Sequence, residues 1–284
     1  VYQIKYMDAV PDSAVCNEAV KLAKRHKFAQ LSGFVNGVLR NIARNIDSVQ
    51  FDTLSIRYSM PQWIVDRFVA AYGEKKAEEI FKAFHSKSTI SIRTNLTRCT
   101  PDELRVMLEA EGVTVTAVDE LNYAFVISGF DYLNGLQSFR DGLFYVQDIS
   151  SMLVAQTAAP KKGDYVIDVC AAPGGKSTHI AELLQGSGHV LARDLTDNKV
   201  DMIEENIERH GLNNMSAEVW DATVFDADSA GKADILICDL PCSGLGVLGR
   251  KKDIRYKMTP ESVDELAALQ RQILDTVHTY VKPN

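Results

Sequence analysis

The sequence contains no apolar run close to the roughly 18 residues that a membrane-spanning helix needs. Its first residues also lack the basic start and the apolar stretch of about 7–15 residues that mark a secretory signal. Internal repeats and low-complexity tracts are missing as well. We therefore expect a globular protein of the cytoplasm that works away from membranes.

Paired cysteines are also missing. The five cysteines, an odd number, are scattered along the chain with no Cys-x-x-Cys pair and no histidine cluster at the spacing of zinc ligands. They are Cys16, Cys99, Cys170, Cys238 and Cys242. We expect reduced thiols and no metal site.

The sequence has no general excess of basic residues, since the formal net charge is −7. A protein that binds nucleic acid over its whole surface would have such an excess. The charge is nevertheless uneven, because residues 1–50 contain seven Lys or Arg against four Asp or Glu. Any contact with nucleic acid must therefore be confined to local basic segments.

The length of 284 residues suits two or three domains, which usually hold about 100–150 residues each. Apolar residues recur at helical spacing over residues 13–45, with a break at Ser32-Gly33, and over residues 61–84, with a break at Gly73. The pattern then changes to short β-like runs with one helix, which predicts a small α+β unit. The predicted strands are Thr89–Thr94, Val113–Val118, Tyr123–Ile127 and Leu143–Val146, and the predicted helix is Pro101–Glu111.

From Asp164 onward apolar strands alternate with amphipathic helices, which predicts βαβ units and a parallel sheet. The predicted strands are Tyr165–Val169, His189–Ala192, Ser216–Trp220 and Asp234–Cys238, and the predicted helices are Lys176–Leu184, Asp197–His210 and Pro260–Tyr280. Ligands of such sheets bind at the carboxyl ends of the strands, near the point where the strand order reverses.

A turn of small residues joins the first of these strands to its helix. It lacks the Gly-x-Gly-x-x-Gly of a dinucleotide site, and Cys170 stands where a phosphate-binding loop, and hence an ATPase, would need glycine. The small residues instead favour S-adenosylmethionine, a ligand without phosphates that can lie against the backbone. The candidate binding residues of the turn are Cys170, Ala171, Ala172, Pro173, Gly174, Gly175 and Lys176.

Acidic residues follow the next three strands. Asp194 ends the second strand, where a carboxylate can accept hydrogen bonds from ribose hydroxyls. Asp221 ends the third strand, where it could meet the adenine end of the ligand, and Asp239 follows the fourth. Each acid alone is more often a solvated loop residue or a helix cap. Their recurrence at successive strand ends predicts a binding site.

Two segments, DVCAAPGGKST at 168–178 and DLPCSGLGVLGRKKDIRY at 239–256, resemble the signature of the RNA 5-methylcytosine methyltransferases. Upstream, FVNGVLRNIAR at 34–44 is similar to the end of the NusB-like helical domain carried by the branch that acts on bacterial 16S rRNA, the RsmB/Sun (Fmu) type. ISIRTN at 90–95 and GLFYVQDISSMLVA at 142–155 resemble the linker domain that precedes the catalytic sheet. The resemblance covers nearly the whole chain.

This resemblance implies an α/β fold in three parts. A Rossmann-like S-adenosylmethionine methyltransferase domain with an incomplete sheet is expected over residues 151–284, a small α+β linker domain over 49–150, and the C-terminal part of an all-α NusB-like domain over 1–48. The implied reaction transfers a methyl group from S-adenosylmethionine to carbon 5 of a cytosine in 16S rRNA. A monomer is expected, with 16S rRNA as its partner.

In this family a cysteine thiolate attacks carbon 6 of the cytosine, which makes carbon 5 electron-rich enough to accept the methyl group, and a base then removes the proton from carbon 5. The resemblance assigns Asp239 to the Watson–Crick edge of the cytosine and Lys176 to positive charge beside the turn. The nucleophile belongs to a Thr-Cys motif at the end of the next strand, whereas Cys242 of the Pro-Cys turn releases the covalent product.

Residues 1–284 contain no Thr-Cys pair. We expect a fragment of a longer enzyme that lacks the nucleophile and the last strands of the sheet, which leaves the fourth strand as an unpaired edge. The open alternatives are a natural short form without activity, a non-catalytic fragment that binds RNA or S-adenosylmethionine, and Cys242 as the nucleophile, as in DNA cytosine-5 enzymes. A tRNA substrate is another alternative, which the NusB-like segment disfavours. Cys170 and Cys238 are expected to be packing residues.

Two basic segments are candidate RNA surfaces, although charge runs are usually solvated loops. The first directly follows the Pro-Cys turn, so we predict phosphate contacts there, and Tyr256 could stack on an unpaired base. Its basic residues are Arg250, Lys251, Lys252, Arg255 and Lys257. The second lies in the N-terminal helical segment and consists of Lys21, Lys24, Arg25, Lys27, Arg40 and Arg44.

Overall fold

The computed structural model describes residues 1–48, 51–86 and 89–283. The chain divides into two compact units, Val1–Phe81 and Lys82–Asn284. Within the described ranges, no helix is long and apolar enough to cross a membrane. The same ranges contain no group of three or more His, Cys, Asp or Glu side chains that could hold a metal ion.

The first unit is helical. Its helices are α1 (Tyr2–Tyr6), α2 (Asp12–Arg25), α3 (Ser32–Asn45), α4 (Leu54–Arg57), α5 (Gln62–Tyr72) and α6 (Glu74–His85), the last of which continues into the second unit. Short 3-10 turns lie at Ala29–Leu31 and Ile46–Ser48. Helix α2 packs against α3.

The two predicted helix breaks had different outcomes. Gly73, with φ of +76°, separates α5 from α6 as predicted. The predicted break at Ser32-Gly33 is wrong, because these residues begin α3. Instead α2 ends at Arg25, and Lys27 adopts a left-handed conformation with φ of +67°. The Phe28 N–H then donates to the Ala23 carbonyl at 2.8 Å, a hydrogen bond that closes the end of the helix.

The second unit begins with an antiparallel sheet in the order β2-β3-β1-β4. Its elements are β1 (Ile90–Thr94), α7 (Pro101–Ala110), β2 (Thr114–Val118), β3 (Leu121–Ser128), α8 (Gln137–Arg140) and β4 (Phe144–Val146), with a 3-10 turn at Leu133–Gly135. Thr100 and Glu103 form a capping box at the start of α7. Leu104 and Leu108 of α7 pack on Phe125 and Phe144 in the core. The small α+β unit is thus confirmed.

A parallel sheet in the order β7-β6-β5-β8 follows. Its elements are α9 (Ile149–Ala158), β5 (Tyr165–Asp168), α10 (Gly175–Leu183), β6 (His189–Asp194), α11 (Asp197–His210), β7 (Met215–Val219), β8 (Ile235–Ile237), α12 (Ile254–Lys257) and α13 (Pro260–Val277), with 3-10 turns at Leu245–Val247 and His278–Tyr280. The chain runs outward from β5 to β7 and then returns to the other side of β5. The crevice at this reversal, between β5 and β8, is where ligands of such sheets bind.

Strand β8 lies at the edge of this sheet, as predicted. Two residues before β8, an isolated parallel bridge joins Ala233 to Val281. The Ala233 N–H donates to the Tyr280 carbonyl and the Lys282 N–H donates to the Ala233 carbonyl, each at 2.8 Å. Lys282 also pairs with Asp234, with Nζ 2.5 Å from Oδ1.

The two sheets of the second unit approach each other at the level of the backbone. The Asn95 side chain donates to the carbonyl oxygens of both Gly142 and His210, at 2.9 and 3.3 Å. Gly142 has φ of +66°, and a Cβ added there would lie 1.9 Å from the Arg209 carbonyl oxygen. Only glycine fits this contact.

Candidate active site

The predicted binding turn begins where the buried strand β5 ends. The Ala171 N–H donates to the Arg193 carbonyl of β6 at 2.8 Å, and the Gly174 N–H donates back to the Ala171 carbonyl at 2.7 Å. Gly174 has φ of +97° and directly precedes α10. A Cβ at Gly175 would lie 3.1 Å from Cε1 of Tyr145. Glycine is therefore favoured at Gly174 by the backbone angle, and a side chain at Gly175 would be tight against Tyr145.

Asp168, the last residue of β5, lies beneath the turn. It is 1% exposed; its Oδ2 accepts from the Ser177 hydroxyl at 2.6 Å and its Oδ1 accepts from the Cys170 N–H at 3.4 Å. Burial raises the pKa of this carboxyl to about 6, against the opposing effect of the two hydrogen bonds. Sequence reasoning gave Asp168 no role, although its position at a strand end was a usable signal.

Asp194 connects the turn to the end of β6 through hydrogen bonds. Its Oδ2 accepts from the Ala172 N–H at 3.0 Å, while its Oδ1 accepts from the Leu195 N–H and from Lys199 Nζ, each at 2.8 Å. The carboxylate is nearly buried, at 4% exposed. Asp194 therefore holds the turn in place at the same strand end where we predicted a ribose contact.

Asp221, which follows β7, is exposed. Its Oδ1 accepts from both the hydroxyl and the N–H of Thr223, at 2.7 and 2.9 Å. These hydrogen bonds lower the pKa of the Asp221 carboxyl. The side chain is thus held ionised in a local turn at the third strand end.

Lys176 and Asp239 meet across the crevice between β5 and β8, although 63 residues separate them in the chain. Lys176 Nζ lies 2.5 Å from Asp239 Oδ2. The lysine side chain is 18% exposed and the carboxylate 58%. The fold therefore brings together the two side chains to which the resemblance assigned the chemistry at the cytosine.

Two adjoining cavities flank the turn, and both are lined by Cys170, Ala172 and Asp239. The first, of about 220 Å³, is also lined by Asp194, Lys199, Trp220, Asp221, Pro241, Leu269 and Ile273. The second, of about 180 Å³, is also lined by Tyr145, Gln147, Asp148, Ser151, Asp168, Pro173, Gly175 and Lys176. We call these the outer and the inner cavity. Together they gather the acids of four successive strand ends around one turn.

The cysteines differ in their surroundings. Burial, reinforced by nearby carboxylates, raises the pKa of the Cys170 thiol to about 12 and that of Cys238 to about 11. Both thiols are therefore protonated near neutral pH and poor nucleophiles. Cys242 is exposed in the loop after β8, and neither cavity is lined by it among the residues described.

The basic segment after the Pro-Cys turn is not uniform. Lys251 and Lys252 are exposed, whereas Arg250 forms an ion pair with Asp148. Arg255 is only 4% exposed and donates to the Leu248 carbonyl at 3.5 Å, because the single turn of α12 directs it inward. This burial speaks against the predicted phosphate contact at Arg255. Tyr256 is 71% exposed.

The predicted basic side chains of the first unit are all exposed; they are Lys21, Lys24, Arg25, Lys27, Arg40 and Arg44. Lys21 pairs with Glu18, with Nζ 2.6 Å from Oε1. Since exposed lysines and arginines are also ordinary surface residues, an RNA contact here stays a prediction.

Sequence reasoning missed two further residues that hold the turn, Tyr145 of β4 and Asn206 of α11. The Tyr145 hydroxyl donates to the Pro173 carbonyl at 3.0 Å and accepts from Asn206 Nδ2 at 3.2 Å. Asn206 Nδ2 also lies 2.9 Å from the Pro173 oxygen. Burial raises the pKa of Tyr145 to about 12, so the hydroxyl remains a donor. No motif or spacing in the sequence marks this contact between elements.

Residues 155–284 match the family 16S rRNA methyltransferase RsmB/F, residues 1–44 the NusB family, and residues 60–130 the ferredoxin-like domain of RsmF/B-like methyltransferases. The chain is 37% identical to a probable ribosomal RNA small subunit methyltransferase B of Bacillus subtilis and 32% identical to one of Synechocystis. These alignments cover 99% of this chain but only 64% and 65% of those relatives. Ribosomal RNA small subunit methyltransferase B of Proteus mirabilis is 32% identical, with 67% of its length covered. The chain belongs to the RsmB/F family.

Two solved structures resemble this chain in fold. A methyltransferase homolog protein from Pyrococcus horikoshii is 25% identical, with a TM-score of 0.69 over 81% of this chain and 72% of that one. NSun6 from the same organism, solved with SFG, has a TM-score of 0.69 over 78% of this chain and 80% of its own, at 21% identity, and so supports the fold alone. The predicted fold class is confirmed: a Rossmann-like methyltransferase sheet follows a small α+β domain and helices of the NusB type.

Proposed function

We propose that this protein is an S-adenosylmethionine-dependent methyltransferase that acts on carbon 5 of a cytosine in 16S rRNA. The observation that carries the proposal is the pair of adjoining cavities around the turn, with an acid from each of four strand ends. Membership of the RsmB/F family supports the reaction class and the RNA substrate. A tRNA substrate has no comparable support.

The outer cavity suits the adenosine part of S-adenosylmethionine. Leu269 and Ile273 offer an apolar wall for the adenine ring, Asp221 lies beside them, and Asp194 can accept hydrogen bonds from the ribose. The turn places backbone rather than bulky side chains against the ligand. When bound, S-adenosylmethionine supplies an activated methyl group. The proposed binding residues are those of the turn, Cys170–Lys176, together with Asp194, Asp221 and Asp239.

The inner cavity suits the cytosine ring. The Asp239 carboxylate, which only accepts hydrogen bonds, can pair with the exocyclic amine of the base. Lys176 orients this carboxylate through their contact at 2.5 Å and adds positive charge where the reacting ring becomes electron-rich. We propose Asp239 and Lys176 as catalytic residues on these grounds.

The cysteine chemistry divides between two thiols. The buried Cys170 and Cys238 have raised pKa values and are unsuited to attack the cytosine ring. We assign the exposed Cys242 to the release of the covalent product. The attacking thiolate is assigned to a Thr-Cys motif, which residues 1–284 do not contain. The alternative of a non-catalytic fragment that binds RNA or S-adenosylmethionine rests on the same observation.

The remaining proposals concern RNA contact and organisation. The exposed Lys251 and Lys252 beside the active-site loop, with Arg250, are proposed to contact phosphates of the rRNA. A monomer in the cytoplasm, with domains at 1–48, 49–150 and 151–284, completes the proposal.

The deciding experiment measures transfer of labelled methyl groups from S-adenosylmethionine to unmethylated 16S rRNA, followed by nucleoside analysis. Residues 1–284 are tested beside the full-length protein, and Asp239→Asn is tested beside Asp131→Asn, which changes an exposed loop residue. We expect 5-methylcytidine from the full-length protein and its Asp131→Asn variant, and a loss of at least about 100-fold in Asp239→Asn. Turnover by residues 1–284 alone would make Cys242 the nucleophile. Failure of the full-length protein to methylate this RNA would refute the substrate assignment.

A further inference from the structure

Gln147, directly after β4, carries a buried amide with no hydrogen-bond partner among the residues that the structure describes. The residue is 6% exposed, and neither its Oε1 nor its Nε2 is bonded within the described part of the chain. Ser91 fixes the backbone of Gln147 through two hydrogen bonds. The Gln147 N–H donates to the Ser91 carbonyl at 3.1 Å, and the Ser91 hydroxyl donates to the Gln147 carbonyl at 2.7 Å. The unpaired amide is therefore held in place by a well-bonded backbone.

Such an arrangement is costly in the absence of a ligand. A buried polar group without a partner destabilises a fold by about 1–3 kcal/mol, and such groups are rare in proteins. An apolar side chain of the same length would fill this position without that cost. A buried glutamine that retains both unpaired ends is thus a candidate for ligand recognition.

The inner cavity is the place where the amide can find a partner. Gln147 lines this cavity together with Asp168, Lys176 and Asp239 and is not among the residues that line the outer cavity. The volume of about 180 Å³ is below the roughly 300–1,000 Å³ of common small-molecule pockets, so a single planar ring suits it better than a whole nucleoside. Enzymes that modify a base move that base out of its stack and into such a pocket.

We propose that Gln147 recognises the target cytosine in the inner cavity, an inference that rests on the proposed function. The amide N–H group can donate to a ring acceptor of the base, its carbonyl can accept from an amine, and Asp239 supplies a second acceptor. Uracil carries an oxygen in place of the exocyclic amine and would set that oxygen against the carboxylate. Gln147 positions the base so that its exocyclic group meets Asp239, and the carboxylate then selects cytosine over uracil.

The test uses the full-length protein with Gln147→Met, which keeps the length of the side chain and removes both polar ends, and Gln147→Glu, which keeps the shape and removes the donor. Gln156→Met is the matched control, because Gln156 is exposed on α9. Three quantities are measured: the S-adenosylmethionine affinity by calorimetry, the melting temperature, and kcat/KM for 16S rRNA fragments carrying cytosine or uracil at the target position.

We expect Gln147→Met to keep S-adenosylmethionine affinity within about twofold, to melt no lower than the wild type, and to lose at least about tenfold in kcat/KM together with part of its preference for cytosine. Gln156→Met should match the wild type in all three. Unchanged kcat/KM and base preference in Gln147→Met would overturn the inference, and so would a loss confined to S-adenosylmethionine affinity. A wild-type protein that neither binds S-adenosylmethionine nor transfers methyl refutes the proposed function, and this inference with it.

Discussion

At the scale of single residues, the site depends on carboxylates that differ mainly in burial. Asp168 is enclosed and has a raised pKa, whereas Asp221 is exposed and has a lowered one. Asp194 is nearly buried, like Asp168, but its carboxylate oxygens accept hydrogen bonds from two backbone N–H groups and from a lysine. Each of these residues is an aspartate at a strand end, and its surroundings decide its role.

Replacement of Asp168 by Asn should remove a pH dependence of folding. The folded-state pKa of about 6 lies above the ordinary value of about 3.9, so this group's contribution to stability is fully present below about pH 4 and is lost as the pH rises through about 6. The loss amounts to at most ~3 kcal/mol. Asn keeps one acceptor, Oδ1, for the Cys170 N–H, and its Nδ2 can donate to the Ser177 hydroxyl oxygen.

Urea unfolding of both proteins between about pH 4 and pH 7.5 gives the comparison. As the pH rises, the free energy of unfolding of Asp168→Asn should increase relative to that of the wild type. Groups that face Asp168, namely Lys176 and Asp239, are the same in both proteins, so their titration cancels in the difference. A constant difference across the range would contradict a raised pKa at Asp168.

Site residues could be predicted from the sequence where a strand pattern located them. Asp194, Asp221 and the pair of Lys176 and Asp239 follow apolar strands, and the structure places all of them around one turn. Gln147 could not be predicted, because its importance lies in an unpaired buried amide, which only packing reveals. Arg255 looked like its basic neighbours in the sequence, and only the orientation of α12 separates it from them.

At the scale of elements, the turn before α10 is held from two sides. Tyr145 and Asn206 both contact the Pro173 carbonyl, and Tyr145 belongs to β4 of the antiparallel sheet. Asp194 holds the turn from β6. The turn is therefore preorganised by its neighbours in the fold.

Tyr145→Phe should loosen the turn. The change removes the donor to Pro173 and the acceptor for Asn206, so we expect a loss of about 1 kcal/mol in unfolding free energy and a several-fold weaker S-adenosylmethionine affinity. Denaturant unfolding and calorimetry measure these two effects. Tyr132→Phe, at a tyrosine that is 67% exposed, is the control. Equal S-adenosylmethionine affinities in both variants would show that the hydroxyl does not shape the site.

A comparison of Gly174→Ala with Gly186→Ala separates the effect of backbone strain on stability from its effect on the binding site. Gly174 and Gly186 both have positive φ, of +97° and +74°, and Gly186 lies in open space away from the turn. Alanine should destabilise the protein by about 1 kcal/mol or more at either position. Only Gly174→Ala should also weaken S-adenosylmethionine binding, as measured by calorimetry. If Gly186→Ala weakened binding equally, the effect would reflect overall stability.

The spacing of apolar residues predicted most elements to within two residues at each end. This spacing is informative because each element must turn apolar side chains toward the core beside its sheet. The bounds of α11 agree with the prediction, β5 differs from its prediction by one residue at one end, and α10 differs by one residue at both ends. The break between α2 and α3 was misplaced because Lys27 adopts a left-handed conformation that glycine usually marks in a sequence. Backbone conformation at a single non-glycine residue leaves no pattern to read.

At the scale of the molecule, a buried ion pair joins the two sheets of the second unit. Arg93 of β1 donates to Glu182 of α10 at 2.9 Å and to the Thr178 hydroxyl at 3.2 Å, and both charged side chains are nearly inaccessible. Burial raises the pKa of Glu182 to about 7 and lowers that of Arg93. Removal of either side chain would leave the other charge buried without its partner, which would destabilise the fold.

Arg93→Met should therefore destabilise the protein by about 3–5 kcal/mol, because it leaves a buried carboxylate without its partner. The double variant Arg93→Met with Glu182→Met should recover most of this loss. Arg57→Met breaks an exposed pair with Glu78 and should change stability by no more than about 1 kcal/mol. Urea unfolding of the four proteins tests this, and a double variant no more stable than Arg93→Met would contradict it.

The class of the fold was predictable because alternating strands and helices leave few topologies open. The parallel sheet and the separate α+β sheet follow from that pattern, whereas the edge at β8 was predicted from the resemblance to the methyltransferase family. The joint between the sheets was not predictable, since it rests on side chains such as Arg93 and Glu182 that are far apart in the chain. Charged residues are predicted at the surface unless a partner is known.

The glycine contact at the joint bears on how relatives of this protein can be recombined. Because Gly142 leaves no room for a side chain against the Arg209 carbonyl, the antiparallel and parallel sheets fit each other at the level of main-chain atoms. A chimera that takes its catalytic sheet from one relative and its linker sheet from another would have to reproduce that fit and the shared wall of the inner cavity. The natural unit of exchange is the segment from Lys82 onward, transferred whole.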